Sequence, residues 1–144
     1  MRLKAGPAGG EVKVTLDTNV LVRLATRDDP AQAAVALQVL QQATLIAVHT
    51  PVLCEFVWVL MRGYRYTADQ AAHAVRTLLQ VHAVVCNTPA VLAGLAVLDA
   101  GGDFADGVID FEGALLGGQE FVSFDQQAVK LLKARKRKVR WLRA

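Results

Sequence analysis

Four carboxylates occupy positions at which chemistry is expected in an α/β protein. Asp17 and Asp125 each follow a short apolar run that is typical of a β-strand. Glu55 lies in an otherwise apolar stretch, and Asp106 closes the sequence Gly-Gly-Asp-Phe-Ala-Asp. Each has a structural explanation when taken alone, since Asp is a favoured helix N-cap and a Glu buried by an apolar helix can form an ion pair. Four carboxylates at one place, however, would repel one another unless a cation joined them.

Oxygen ligands of this kind select hard ions, which predicts Mg²⁺ or Mn²⁺ as the cofactor. Such an ion is suited to phosphodiester hydrolysis, because it orients and deprotonates a water molecule and neutralises charge on the phosphate. We therefore expect four residues to be both catalytic and metal-binding: Asp17, Glu55, Asp106 and Asp125. We expect Asp103 only to cap the helix that follows it.

The pattern along the chain predicts strands that alternate with helices. Strands are expected at 12–16, 45–49, 83–86, 120–124 and 139–142, with one or two helices in each interval. This alternation is typical of βαβ units and of a parallel sheet covered on both faces. Because functional crevices lie beyond the carboxyl ends of parallel strands, Asp17 and Asp125 are expected at the same edge.

Composition and charge narrow the class of protein. The chain has 144 residues, of which 53% are hydrophobic and 20% charged, as in one globular domain. Residues 1–129 hold all 13 acidic and eight basic side chains, a net −5, whereas 130–144 hold eight basic side chains and none that is acidic. No apolar run is long enough for a membrane span, and the N-terminal sequence does not predict a secretory signal. Cys54 and Cys86 are isolated and the three histidines lack ligand spacing, so a reduced, cytoplasmic setting is expected.

The motifs taken in order resemble the PIN-domain family, and more narrowly the VapC-type ribonuclease toxins of prokaryotic toxin–antitoxin pairs. They are Leu-Asp-Thr-Asn-Val-Leu-Val-Arg at 16–23, Glu55 in Val-Leu-Cys-Glu-Phe-Val-Trp, Asp-Phe-Ala-Asp-Gly-Val-Ile at 103–109 and Ser-Phe-Asp at 123–125. The resemblance covers about residues 12–142. It implies a three-layer α/β/α sandwich with a five-stranded parallel sheet, and an Mg²⁺- or Mn²⁺-dependent endoribonuclease inhibited by a VapB-like antitoxin.

The resemblance also assigns roles to residues. The acidic quartet of the family corresponds to Asp17, Glu55, Asp106 and Asp125, and its supporting Asn corresponds to Asn19. Ser123 stands where the family usually has Thr and keeps the hydroxyl. Gly107 departs from the family, in which Ala commonly follows the third acid.

The remaining expectations concern organisation and partners. Residues 1–11 are expected to be a flexible extension, and residues 12–144 a single domain whose basic segment, 130–144, contacts RNA. The predicted RNA-binding residues are Arg23, Arg27, Lys133, Lys136, Arg137 and Lys138. A homodimer is also expected. The aromatic stretch from Trp58 to Tyr66 is interpreted as core or, alternatively, as a surface for a second copy or the antitoxin.

Three alternatives remain open at this point. A housekeeping RNA-processing nuclease would share the fold and chemistry, and an adjacent frame for a small DNA-binding protein would favour the toxin instead. A phosphatase with an Asp nucleophile needs Asp-x-Asp, but position 19 is Asn. A receiver-like signalling module would need an Asp after the third strand, where Asn87 stands.

Overall fold

A computed structural model of the chain describes residues 10–144. Residues 1–9, most of the predicted flexible extension, lie outside the described residues. The elements run in the order β1 (Lys13–Thr15), α1 (Thr18–Thr26), α2 (Pro30–Gln42), β2 (Leu45–Ala47), α3 (Thr50–Gly63), α4 (Ala68–Leu79), β3 (Val84–Val85), α5 (Thr88–Asp99), α6 (Phe104–Leu115), β4 (Phe121–Ser123), α7 (Gln126–Ala134) and β5 (Val139–Trp141). They group into two compact units, the first ending at Asn87 and the second spanning Thr88–Ala144.

The first unit is built on a three-stranded parallel sheet in the order β1-β2-β3. Val14 is in register with Ile46, and Ile46 with Val84. Ile46 is fully buried at the centre of this sheet, as expected for a strand with a neighbour on each side. The four helices of this unit bury one apolar stripe each, which for α3 is Leu53, Phe56, Val57 and Leu60.

The second unit contains the parallel pair β4 and β5 and three helices. Helices α5 and α6 pack closely, because Gly94 and Gly107 let their backbones approach. A Cβ atom added at Gly107 would lie 2.8 Å from the Cα of Gly94, closer than real Cβ contacts allow. Phe104 is fully buried in this unit and fills the space beside Gly94.

The predicted strand and helix positions are confirmed, and the fold is α/β, but the predicted single five-stranded sheet is not what the structure contains. Its five strands form one sheet of three and one sheet of two. Apolar runs identified the strands, whereas the pairing of strands depends on packing that such runs do not encode, and ladders of two or three residues leave pairing weakly determined. The three-layer sandwich and the single domain over 12–144 remain predictions. No helix within 10–144 is long and apolar enough to cross a membrane.

Candidate functional site

Asp17 lies between β1 and α1 and caps that helix. Its Oδ1 accepts a hydrogen bond from the backbone N–H of Val20 at 3.1 Å, and its backbone is extended, as at most N-caps. The carboxylate is exposed. The cap therefore fixes one oxygen, while the second oxygen has no hydrogen-bond partner among residues 10–144. Asn19, two residues later, is also exposed.

Glu55 lies on α3 and is joined to the start of α1 by Thr18. The Thr18 hydroxyl donates to Glu55 Oε1. Because Thr18 is buried, packing fixes its position. Its hydroxyl therefore holds the Glu55 side chain at the start of α1, directly after Asp17 in the sequence. The first unit thus brings two of the predicted acidic residues to neighbouring places.

Glu55 was expected to be buried, and this expectation is wrong. The side chain is exposed, because its helical neighbours Pro51 and Trp58 are exposed themselves, Trp58 by 61%. The apolar type of a neighbour does not establish burial, since much of a protein surface is apolar. The interpretation of Trp58 as core is wrong for the same reason.

Asp106 lies in the first turn of α6, where it is partly buried near two other carboxylates. Burial, and after it the negative charges of Asp103 and Asp125, together raise the pKa of Asp106 from 3.8 to about 6. Of the four predicted carboxylates, only Asp125 contributes to this shift, and the repulsion expected among all four stays a prediction. Asp103 caps α6 through the N–H of Ala105 at 3.1 Å, as expected.

Asp125 follows β4 and caps α7 through the N–H of Ala128 at 3.1 Å. Its own backbone N–H donates to the Ser123 hydroxyl at 2.9 Å, so the predicted supporting residue holds the turn that presents the carboxylate. The second unit therefore places Asp106 and Asp125 near each other.

Two of the predicted RNA-binding residues are engaged within the protein. Arg23 donates to Asp28 at 3.0 Å, to the Tyr64 hydroxyl at 3.2 Å and to Gln32 at 2.8 Å. The hydrogen bond from Tyr64 to Asp28 lowers the pKa of that carboxyl. Arg137 donates to Asp110 on α6 at 2.6 Å, and the Asp110 side chain is only 9% exposed.

The other basic side chains of the C-terminal segment divide into two groups. Arg140 pairs with Glu120, and Arg143 lies over the ring of Trp141. The five that make neither an ion pair nor a cation–π contact with any residue of 10–144 are Lys130, Lys133, Arg135, Lys136 and Lys138. Arg27, after α1, is exposed in a left-handed conformation with a φ of 54°.

The sequence profile of the PIN domain matches residues 14–131, which is most of the chain. The chain belongs to the PIN domain family. No curated protein matches it. PIN domains are typically metal-dependent nucleases with Mg²⁺ or Mn²⁺ at the active site, so membership supports, at this coarse level, a hydrolase that acts on RNA.

The predicted ligands are all carboxylates, and this chemistry suits a divalent cation. Within residues 10–144, however, no group of three or more His, Cys, Asp or Glu side chains is placed so that it could hold a metal ion. The partly buried carboxyl of Asp106 is nevertheless close enough to Asp103 and Asp125 for their negative charges to repel its own. A hard cation bound by carboxylate oxygens would relieve this repulsion. Convergence of all four predicted carboxylates stays a prediction.

Sequence reasoning missed two residues that organise the candidate site of this PIN domain. Thr18 was included only in the first motif, yet its hydroxyl fixes Glu55. Trp141 was placed only in the fifth strand, yet its indole N–H donates to the carbonyl of Phe124, the residue before Asp125. Neither link has a local signal, because the partners lie 37 and 17 residues apart.

Proposed function

We propose that this PIN domain is an Mg²⁺- or Mn²⁺-dependent endoribonuclease that hydrolyses RNA phosphodiester bonds. The observation that carries the proposal is Asp106, a partly buried carboxyl whose pKa is raised to about 6 by burial and by Asp103 and Asp125. In a PIN domain, such a carboxyl is suited to a cation and not to an ordinary surface role. We propose that the catalytic and metal-binding residues are Asp17, Glu55, Asp106 and Asp125.

The chain itself orients these carboxylates. Backbone N–H groups hold Asp17 and Asp125 by one oxygen each, and the Thr18 hydroxyl holds Glu55 by Oε1. Each carboxylate is thereby fixed while its second oxygen remains available as a ligand. When bound, the ion would supply a water of lowered pKa and neutralise charge on the scissile phosphate.

The cleavage test compares the wild type with Asp17→Asn, using RNA with Mg²⁺ or Mn²⁺. Asn still caps a helix but carries no charge, so the variant should fold normally and lose roughly 100-fold or more of its activity. Asp29→Asn is the matched control, since Asp29 caps α2 through the N–H of Gln32 at 3.1 Å and is outside the acidic set. Equal activity of wild type and Asp17→Asn would contradict the mechanism, and an inactive wild type would contradict the ribonuclease.

We further propose that the protein is the toxin of a type II toxin–antitoxin pair, acts in the cytoplasm and forms a homodimer. A groove of about 760 Å³ in the first unit, lined by Leu21, Leu24, Leu37, Leu40 and Tyr66 among others, is suited to the apolar face of a VapB-like antitoxin. In the second unit, the exposed apolar side chains Leu92 and Ile109 are suited to contact with a second copy.

Growth measurements test the toxin proposal. Expression of the wild type should arrest growth of a bacterial host, and co-expression of the small protein encoded directly upstream should restore it. Asp17→Asn should not arrest growth. A wild type that cleaves RNA but leaves growth unaffected would favour the housekeeping RNA-processing enzyme instead.

A further inference from the structure

Two aromatic side chains lie exposed beside Asp125, in the second unit. Phe124, the residue before Asp125, is 68% exposed, and Trp141 on β5 is 37% exposed. Large apolar side chains at such exposure bury little surface within the chain, so packing of the described residues does not account for Phe124.

Hydrogen bonds hold Trp141 next to the turn that carries Asp125. The strands pair Ser123 with Trp141, and the N–H of Leu142 donates to the carbonyl of Ser123 at 2.8 Å. The Trp141 indole N–H donates to the carbonyl of Phe124 at 3.1 Å. The indole is thus tied to the backbone one residue before the proposed catalytic carboxylate.

A guanidinium completes the surface. The Arg143 guanidinium carbon lies 4.7 Å from the centroid of the Trp141 ring, in a cation–π arrangement. Lys136 and Lys138, in the connection that leads into β5, add positive charge to this segment of the chain. Exposed aromatic rings combined with basic side chains are the combination with which proteins hold single-stranded nucleic acid.

We propose that Phe124, Trp141 and Arg143 form a stacking platform for a nucleobase of single-stranded RNA. The base would lie next to the scissile phosphate, near the proposed catalytic residue Asp125. This proposal rests on the proposed ribonuclease function and adds to it a base-contacting subsite. Bases within a duplex are already stacked and cannot reach such a platform, so it selects unpaired RNA. Arginine is favoured over lysine at position 143, because only a planar guanidinium stacks on an indole or a base.

Binding is measured without divalent ions, so that the RNA stays intact, by anisotropy of a fluorescein-labelled single-stranded oligoribonucleotide. Phe124→Leu should weaken binding roughly 5- to 100-fold, the scale of one lost base stack, and leave the salt dependence of binding unchanged. Arg143→Lys should weaken binding at constant charge. Leu115→Ala, which removes exposed apolar surface on α6, is the control and should bind as the wild type does.

Fluorescence reports directly on Trp141. The chain has two tryptophans, so in a Trp58→Phe background Trp141 is the remaining emitter. Single-stranded RNA should quench it, whereas the same sequence as a duplex or with abasic nucleotides should quench it far less. Because Phe124 is exposed, Phe124→Leu folds even if Trp141→Leu does not.

Absent quenching together with wild-type binding by Phe124→Leu overturns the platform, even if the wild type cleaves RNA. Quenching and weakened binding support the platform even if cleavage is absent, in which case the ribonuclease proposal fails alone. A change of oligomeric state in Phe124→Leu would assign the surface to a protein contact and also overturn the proposal.

Discussion

At the scale of single residues, the acidic side chains have two roles that can be separated. Asp17, Asp103 and Asp125 each cap a helix, which any good N-cap residue could do. Asp106 caps nothing, and its raised pKa shows that its charge is disfavoured by burial and by its neighbours. A protein keeps such a group where function compensates for lost stability, so Asp106 is the residue whose removal is most informative.

Asp106→Asn should stabilise the metal-free protein at neutral and alkaline pH. Between pH 3.8 and about 6 the folded state retains a proton on Asp106 that the unfolded chain releases, so stability from this group falls as the pH rises through that window. Since the side chain is partly exposed, we expect a gain of about 1–2 kcal/mol in the free energy of unfolding at pH 8 and a smaller gain at pH 4.5. Urea unfolding in the presence of EDTA measures both. Equal gains in the free energy of unfolding at pH 8 and pH 4.5 would show that the charge of Asp106 does not cause the difference in stability.

Addition of Mn²⁺ should reverse that order of stability. The wild type should gain about 2.7 kcal/mol once free Mn²⁺ is about 100 times its Kd, because the ion binds the folded state only. Asp106→Asn should gain little. The wild-type gain should weaken below pH 6, where protons compete for Asp106. Thermal unfolding with and without Mn²⁺ at pH 5 and pH 8 provides the measurement, and an undiminished gain in Asp106→Asn would exclude this residue as a ligand.

At the scale of elements, the position of Asp106 depends on the close packing of α5 and α6. Gly107 directly follows Asp106 and allows α6 to approach the backbone of α5 at Ala93 and Gly94. The family commonly has Ala at this position, but in this chain a Cβ atom there would lie 2.4 Å from the carbonyl oxygen of Ala93. The departure from the family pattern is therefore structural, and it lies next to the proposed metal ligand.

Gly107→Ala should destabilise the protein, although Gly→Ala inside a helix ordinarily stabilises it by about 1 kcal/mol. The new methyl group would overlap with the α5 backbone, and relief of this overlap should cost about 1–3 kcal/mol in the free energy of unfolding. Gly113→Ala, in the same helix with open space around its Cα, is the matched control and should stabilise. Urea unfolding compares the two, and stabilisation by both would mean that the helices are not in close contact at Gly107.

The helices were predictable because Thr-Pro and Gly-Gly pairs mark helix ends in the sequence. Thr50-Pro51 begins α3 and Thr88-Pro89 begins α5, and Gly101-Gly102 follows the end of α5. Strand pairing was not predictable, since an apolar pair such as Val84–Val85 carries no information about its neighbour in the sheet. The positions of Asp17 and Asp125 were predictable because each lies between an apolar strand and the helix that it caps, and both signals are local in the sequence. The exposure of Glu55 was not, because it depends on which neighbours are themselves covered.

At the scale of the whole molecule, the charge asymmetry of the sequence is altered by pairing. The net charge of 130–144 is +8, but Arg137 and Arg140 are neutralised by Asp110 and Glu120. Arg137 is thus in the first place a structural link to α6. The charge that remains for a polyanion lies on the four lysines, Arg135 and Arg143. An RNA contact by these residues can therefore be tested separately from the structural role of Arg137.

Replacement of Lys133, Lys136 and Lys138 by Gln should weaken RNA binding and should also reduce the dependence of the binding constant on salt concentration. Each phosphate contact to a single strand contributes about 0.7 to the slope of log K against log salt, so three lost contacts should reduce that slope by about 2. The control triple, Lys13→Gln with Arg62→Gln and Arg65→Gln, changes the net charge equally within the first unit. Arg137→Gln should instead lower the free energy of unfolding, because it leaves the nearly buried Asp110 unpaired. Titration of labelled RNA at several salt concentrations without divalent ions measures the slopes. Equal loss of slope in both triples would mean that RNA responds to net charge alone and that the C-terminal segment is not its contact surface.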